Sequence, residues 1–184
     1  MTTPQPTVFL DIDGVVCPNL PFGGMHVYRA LYRLEDAAPD LYERLFAPEA
    51  IEVLNVLAEQ FKPRFVLTTT WLALLDRHHF VDVFGRCGLS QVASSLHEQW
   101  DAPTNRGVTR LEAIKRWLEQ HHNGEAILVL DDVESGESLQ GSTLETAGRV
   151  VLCDVDGCLR RSHLEAARSA LRRPIYQRPS RADR

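Results

Sequence analysis

The sequence predicts an α/β fold, specifically a Rossmann-like three-layer αβα sandwich with a mostly parallel sheet. Short apolar runs alternate with longer segments of helical periodicity along the 184 residues, which is the order that βαβ units produce. The runs are apolar throughout, as in strands that helices cover on both faces. With 44% hydrophobic residues, the chain can bury one substantial core. We therefore expect a single domain over residues 7–172, a flexible N-terminus (1–6) and a basic, flexible C-terminal tail (173–184).

Five segments are predicted to form the strands. Apolar runs predict strands at 8–10, 65–67, 127–130 and 149–153, and a short third strand is expected at 91–96. Three of the runs end in polar residues, namely the sequence DIDG at 11–14, three threonines at 68–70 and two aspartates at 131–132. Open α/β sheets place their chemistry at such strand ends, so these residues are the candidate site.

Helices are predicted between the strands, around 26–34, from Pro48 onward, through 72–80, from about 109 to 120, and from 162 to 171. Pro48 suits a first helical turn. Thr109 and Glu112 form a Thr-x-x-Glu capping box, and Ser162 with Glu165 is interpreted as the cap of the last helix. Strands and helices therefore alternate along the chain.

The acidic motif after the first strand suggests phosphoryl chemistry. Gly14 lets the chain turn, so Asp11 and Asp13 can approach one phosphate-sized site. An aspartate can attack phosphorus to give an acyl phosphate, and a second acid can protonate the leaving oxygen and then deprotonate water. The motif alone is also typical of a surface turn. It recurs at Asp154 and Asp156, so the sequence offers two copies.

The threonines and the acidic pair extend this interpretation. Hydroxyls after a strand can donate to a phosphoryl oxygen, although three β-branched residues also favour extended chain. Asp131 and Asp132 repel each other, which is easier to explain if a hard divalent cation lies between them and the first acids. Helix capping is the alternative explanation for these aspartates.

A cation at a helix start is the fourth candidate feature. Arg110 occupies the first turn of its helix, where a positive charge opposes the macrodipole unless an anion is bound there. Lys115 is the alternative. Arg110 lies nearer the apolar side of the helical wheel, so it is our first choice. That apolar side is defined by Leu111, Ile114, Trp117 and Leu118.

Composition excludes several classes of protein. A net charge of −5 argues against a general nucleic-acid or membrane-surface binder. The chain start lacks the features of a secretory signal, and no apolar stretch approaches membrane-spanning length, so we expect a cytoplasmic protein without membrane association. The four cysteines are too scattered for a disulfide framework, and Cys17 is interpreted as a buried small residue. Adjacent histidines, as at 78–79, are not expected to converge on a metal ion.

Together these pieces resemble the haloacid dehalogenase (HAD) superfamily of phosphohydrolases over most of residues 7–171. The superfamily has four signatures: Asp-x-Asp-Gly after the first strand, Ser or Thr after the second, Lys or Arg at a helix start, and an acidic pair after the fourth strand. All four occur here in that order. The segment 109–118, followed by the Leu-Asp-Asp strand end, is similar to a small bacterial branch related to the phosphatase-like modules of RNA-repair proteins.

The resemblance implies a Mg²⁺-dependent phosphatase that acts through an aspartyl-phosphate intermediate. Asp11 would be the nucleophile and Asp13 the general acid/base. Mg²⁺ would be held by the Asp11 carboxylate, the Asp13 backbone carbonyl and Asp132, with Asp131 orienting the site. Members usually place a further acid after this pair, and two glutamates, at 134 and 137, compete for that place.

Two further residue types complete the implied site. Thr68 would hydrogen-bond the transferring phosphoryl group, with Thr69 as the alternative if the strand ends one residue later. Arg110, or Lys115, would neutralise phosphoryl charge. This division of labour is positioning plus electrostatics, which is what phosphoryl transfer requires.

Chain order assigns the chemistry to the first acidic copy. Only 28 residues follow Asp156, too few to supply the other three signatures in the required order. The second copy is therefore interpreted as a turn on a neighbouring strand, leading to the last helix.

The short insertion between the first two signatures, within residues 15–46, predicts a minimal cap or none. An open site could accept a phosphorylated small molecule or a nucleic-acid end, or use a protein partner or a second copy of the chain as its lid. The rival interpretation is a catalytically silent module that binds a phosphorylated ligand or a protein. A phosphotransferase or dehalogenase would share the nucleophile, but a dehalogenase does not need the acid at position 13.

Overall fold

A computed structural model describes residues 4–104, 107–154 and 156–174. The strands are β1 (Thr7–Leu10), β2 (Arg64–Leu67), β3 (Leu96–Asp101), β4 (Ile127–Asp132) and β5 (Val150–Cys153). The helices are α1 (Gly24–Leu31), α2 (Leu41–Arg44), α3 (Pro48–Phe61), α4 (Arg77–Arg86), α5 (Ser90–Ser94), α6 (Arg110–His121), α7 (Thr143–Thr146) and α8 (Leu164–Arg172). Short 3₁₀ turns occur at Thr70–Ala73, Glu137–Leu139 and Arg161–His163.

The five strands form one sheet in the order β3-β2-β1-β4-β5, and every pairing is parallel. Successive side chains of a strand point to opposite faces, and both faces of this sheet are covered. Val8 and Leu10 belong to the larger apolar cluster, which includes residues of α3, α4, α5 and α8. Phe9 belongs to the smaller one, where it meets Trp117 of α6 edge to face at 5.2 Å. The predicted αβα sandwich is confirmed.

The predicted third strand is wrong in position. Residues 90–94 form helix α5, and the strand begins only at Leu96. Val92, which lies in the segment predicted as a strand, is instead a buried helical residue. Strand β3 lies at the edge of the sheet and reads LHEQWD, with only its first residue buried. An edge strand has one neighbour and remains partly solvated, so an apolar run is not required of it.

Two predicted helix starts need correction. The segment 72–80 is not one helix, because the 3₁₀ turn ends at Ala73 and α4 starts only after Asp76, whose side chain accepts from His79 N at 3.4 Å. Ser162 does not cap the last helix. It lies inside a 3₁₀ turn that precedes α8, and His163 Nδ1 accepts the Arg160 N–H at 3.0 Å. By contrast, the Thr109 capping box and the start at Pro48 are confirmed.

Some sequence-based expectations fall partly outside the described residues. These are residues 1–3 of the N-terminus and 175–184 of the basic tail. Within the described ranges, no helix is long and apolar enough to cross a membrane.

Candidate active site

The candidate site lies beyond the carboxyl end of the central strand. In the order β3-β2-β1-β4-β5, later strands are added on the other side of β1. Such a switch point leaves a crevice in which α/β proteins bind ligands. The last residue of β1 pairs with Leu67 on one side and with Leu130 on the other. Asp11, Thr68 and Asp131 therefore follow at the same level of the sheet.

Three of the predicted acids meet in this crevice. Carboxylate oxygens of Asp11, Asp131 and Asp132 lie within 4.8 Å of one another, and all three residues are buried. Backbone amides orient them: the Ile12 amide donates to Asp11 Oδ1 at 2.8 Å, and the Ser135 amide donates to Asp132 Oδ1 at 3.0 Å. A cluster of carboxylate oxygens is the donor set that a hard cation such as Mg²⁺ prefers.

Arg110 joins this cluster and Lys115 does not. The Arg110 side chain is buried, its Nη2 donates to Asp11 Oδ2 at 3.1 Å, and its Nε lies 2.6 Å from Asp131 Oδ2 in an ion pair that is not aligned as a hydrogen bond. Its Nη1 is also buried and has no hydrogen-bond partner among the described residues. Lys115 is exposed, one turn further along α6.

Burial dominates the electrostatics of the acids. It raises the pKa of Asp11 well above the usual value and that of Asp131 to about 6, although the positive charge of Arg110 opposes both shifts. One guanidinium thus pairs with two carboxylates of a buried cluster of three. The cluster has an excess of negative charge when ionised, which a bound divalent cation would balance. The residues present therefore fit a Mg²⁺ ion.

The two candidate threonines have different environments. The Thr68 hydroxyl is buried and has no hydrogen-bond partner among the described residues. The Thr69 hydroxyl caps the following 3₁₀ turn, since it accepts the Trp71 N–H at 3.3 Å. An unpartnered buried hydroxyl is unfavourable unless a ligand completes it. The Thr69 hydroxyl keeps its own proton while it accepts the Trp71 N–H, so the missing partner makes Thr68 the stronger of the two candidates for a ligand contact.

Asp13 faces a more open part of the site and is held by residues that the sequence motif did not identify. The Trp71 indole Nε1–H donates to Asp13 Oδ1 at 2.9 Å, and the Thr70 hydroxyl lies 3.4 Å from Oδ2. Burial raises the pKa of Asp13, while hydrogen bonds from Trp71, Asn19 and Thr70 oppose the shift. In the sequence, only the position of Trp71 directly after the three threonines hints at this contact. The pairing itself depends on tertiary structure, because 58 residues separate the two partners.

A glycine is required at position 14 by the turn of the backbone and by the closeness of the Asp132 side chain. The φ of Gly14 is +71°, and a Cβ at this position would lie 2.8 Å from Asp132 Cβ. The first condition makes any L-residue strained, and the second would displace a proposed metal ligand. The turn that the motif predicts at Gly14 is confirmed.

We expect Gly14→Ala to destabilise the protein by about 3 kcal/mol, since backbone strain of roughly 1 kcal/mol adds to overpacking against Asp132. Gly141→Ala is the matched control, because Gly141 has a φ of +69° and, its two chain neighbours apart, no described residue comes within 4 Å of the place that an alanine methyl group would take. It should lose only about 1 kcal/mol. Urea denaturation measures both losses, and Mg²⁺ titration by calorimetry should show weakened binding only for Gly14→Ala. Equal losses in the two variants would contradict the close-approach argument.

The remaining candidates lie away from the acidic cluster. Asp154 and Asp156 are exposed beyond β5, and the Gly157 amide closes a turn on the Asp154 carbonyl at 2.8 Å. The predicted turn is confirmed. Strand β4 lies between β5 and β1, so the second acidic motif is not on a strand directly next to β1. The competing outer acids, Glu134 and Glu137, are both exposed.

Two smaller observations concern other reactive side chains. Cys17 is buried, and burial raises the pKa of its thiol to about 12, which makes it a poor nucleophile. The expectation that adjacent histidines do not converge is wrong at the start of α4. There, His78 and His79 both approach Asp76, within 4.8 Å between possible ligand atoms. Asp76 is the N-cap of α4 and forms a capping box with His79, so helix capping accounts for the approach of His79. His78 lies against the same carboxylate and is exposed.

A five-stranded parallel sheet with an acid after its first strand, two acids at the end of its fourth, a threonine after its second and an arginine at a helix start defines the HAD class of α/β proteins. The chain matches, over residues 7–164, the family described as the HAD domain in Swiss Army Knife RNA repair proteins, and it belongs to that family. Comparison with curated proteins gave no match, and comparison with solved structures gave none.

Proposed function

We propose that the protein is a Mg²⁺-dependent phosphatase that hydrolyses a phosphomonoester through an aspartyl-phosphate on Asp11. One observation carries the proposal: a buried carboxylate is paired with a buried arginine, and the same end of the sheet holds buried donors without partners among the described residues. The Arg110–Asp11 pair is 3.1 Å long, and Arg110 Nη1 and Thr68 Oγ1 lack hydrogen-bond partners among the described residues. Donors left in this state are suited to phosphoryl oxygens that bear charge in the transition state.

Each side chain then has a defined task. Asp11 attacks phosphorus and forms the covalent acyl phosphate, while Asp13 protonates the leaving oxygen and later takes a proton from the attacking water. Thr68 and Arg110 donate to the equatorial phosphoryl oxygens. Mg²⁺, held by Asp11, the Asp13 backbone carbonyl and Asp132, would supply positive charge to the same oxygens when bound. Asp131 orients the site by pairing with the arginine.

The substrate is proposed to be a phosphorylated small molecule or a nucleic-acid end, and the family's name is compatible with both. A minimal cap would leave the site open, with a protein partner or a second copy of the chain available as a lid. We also propose that the protein acts in the cytoplasm. Its four cysteines are all free, which suits a reducing compartment.

The proposal is tested with a panel of phosphomonoesters, including p-nitrophenyl phosphate, nucleoside 3′- and 5′-monophosphates, and oligonucleotides phosphorylated at either end. We expect hydrolysis with Mg²⁺ and none with EDTA. Rapid acid quenching during turnover should leave phosphate attached to the peptide that contains Asp11. If no ester is hydrolysed while a phosphorylated ligand binds, the chain is a catalytically silent HAD-like binding module and the proposal is wrong.

Trp71 provides a prediction about the general acid. In Trp71→Phe the indole N–H that positions Asp13 Oδ1 is lost, so proton donation to the leaving oxygen should be impaired. We expect kcat/KM to fall by about 10²-fold for alkyl phosphates, but by much less for p-nitrophenyl phosphate, whose leaving group needs no proton. The measurement is steady-state kinetics on the two substrate types.

Trp117→Phe is the matched control for this variant. Its indole Nε1–H is also hydrogen-bonded, to the Gln99 carbonyl at 2.8 Å, and it is also buried, but its partner is outside the acidic centre. It should affect both substrates equally. An equal fall for both substrates in Trp71→Phe would mean that Trp71 has only a structural role.

A further inference from the structure

A pocket of about 340 Å³ adjoins Asp13 on the side of helix α1. Asp13 is one of the residues that line it, and the other walls come from the loop after β1, the first turn of α1 and the 3₁₀ turn after β2. They include Asn19, Met25, His26, Trp71 and Leu74. This volume is in the range of small-molecule sites, which begins at about 300 Å³.

The proposed nucleophile does not line this pocket. Asp13 lines it, whereas Asp11, Thr68 and Arg110 do not. In an in-line displacement, the attacking and leaving oxygens are on opposite sides of phosphorus. If Asp13 protonates the leaving oxygen, as the proposed function requires, the alcohol attached to that oxygen lies in this pocket.

Asp13 is the only acidic side chain among the described residues that line the pocket. Among the described residues that line the pocket there is no lysine or arginine, although the whole chain has 20 of them. A second phosphate on the leaving group would therefore meet no counter-charge and would lie near a carboxyl group. Polynucleotide ligands depend on such counter-charges for each phosphate they bring.

The polar groups that remain suit a neutral partner. His26 Nδ1 accepts the Gly23 N–H at 3.2 Å, so the neutral imidazole carries its proton on Nε2 and can donate from there. Met25 and Leu74 supply apolar surface, and Met25 is 47% exposed. Apolar walls with a few polar groups favour a compact organic ligand.

We infer that this pocket selects phosphomonoesters whose leaving alcohol is uncharged and about the size of a nucleoside, such as nucleoside monophosphates, in preference to oligonucleotide ends. The inference rests on the proposed function. It specifies which class of phosphomonoester the proposed active site prefers.

The test compares kcat/KM for a nucleoside 5′-monophosphate, the corresponding 3′,5′-bisphosphate and a 5′-phosphorylated oligonucleotide. Whichever phosphate of the bisphosphate is cleaved, the other stays on the leaving group. We expect the monophosphate to be preferred by at least about tenfold over both. In Met25→Lys, a positive charge in the pocket should reduce this preference about tenfold.

Val81→Lys is the control, because Val81 is also an exposed apolar helix residue, at 41%, but lies on α4 and does not line the pocket. It should leave the preference unchanged. Equal or better turnover of the charged substrates by the wild type, or an unchanged preference in Met25→Lys, would overturn this inference and leave the phosphatase intact. Absence of turnover for every ester would overturn the proposed function and this inference with it.

Discussion

Asp11→Asn is expected to lower the hydrolysis rate of every substrate by at least about 10⁴-fold. An amide oxygen cannot form the acyl phosphate on which the proposed reaction depends. The fold should persist, since Asn is isosteric, its Oδ1 can still accept the Ile12 N–H that Asp11 accepts at 2.8 Å, and Arg110 keeps its ion pair with Asp131. Steady-state kinetics measures the rate, and circular dichroism with thermal unfolding confirms that the variant is folded.

Asp154→Asn is the matched control, because it changes the equivalent residue of the second acidic motif. Asp154 is exposed beyond the edge strand β5, so its replacement should leave the rate within about twofold of the wild type, as surface changes away from a site usually do. Loss of activity in Asp154→Asn with retention in Asp11→Asn would reverse the assignment of the two motifs. Retention in both would exclude a covalent mechanism on either.

The centre of the site could be predicted from sequence because each residue follows directly on an element with a strong local signal. Asp11, Thr68 and Asp131 come immediately after apolar runs, and parallel pairing brings the ends of these runs to one edge of the sheet. Arg110 follows the Thr109 cap, so its place in the first turn of α6 was also determined locally. The fold class was predictable for the same reason.

Other features depend on tertiary contacts that leave no local pattern. Strand β3 was misplaced because an edge strand can be polar, and the predicted segment 91–96 belongs mostly to helix α5. The contact between Trp71 and Asp13 joins two turns from different parts of the chain. Ser162 looked like a helix cap, but His163 takes a capping role one residue later. In each case a long-range or competing local contact replaced the simplest interpretation.

Arg110 and Lys115 are the two candidates for the cation of the site, and replacement of the correct one should have the second large effect. A helical wheel ranks the two by direction, but it does not show what either side chain meets. The structure pairs Arg110 with Asp11 and Asp131 and leaves Lys115 exposed. Removing one partner of a buried ion pair leaves uncompensated charge, which costs about 3–5 kcal/mol.

We therefore expect Arg110→Met, which keeps most of the side-chain volume, to lose about 3–5 kcal/mol of stability in EDTA at neutral pH and at least about 10²-fold in kcat/KM. Lys115→Met, on the same helix, should change the stability by less than about 0.5 kcal/mol. Urea denaturation and steady-state kinetics give the two quantities. Similar effects in both variants would contradict the special position of Arg110.

The pH dependence of Arg110→Met separates lost charge compensation from lost packing. The pKa of Asp131 is about 6, because burial raises it by more than the positive charge of Arg110 lowers it. Removal of the guanidinium should therefore raise this pKa further. A carboxyl whose pKa is higher in the folded state than in the unfolded state loses stabilising free energy as the pH rises through the folded value. The stability deficit of Arg110→Met relative to wild type should thus be largest at pH 7–8 and shrink below about pH 6. A deficit that is constant over this range would mean that Arg110 contributes through packing, and that the charges of Asp11 and Asp131 do not depend on it.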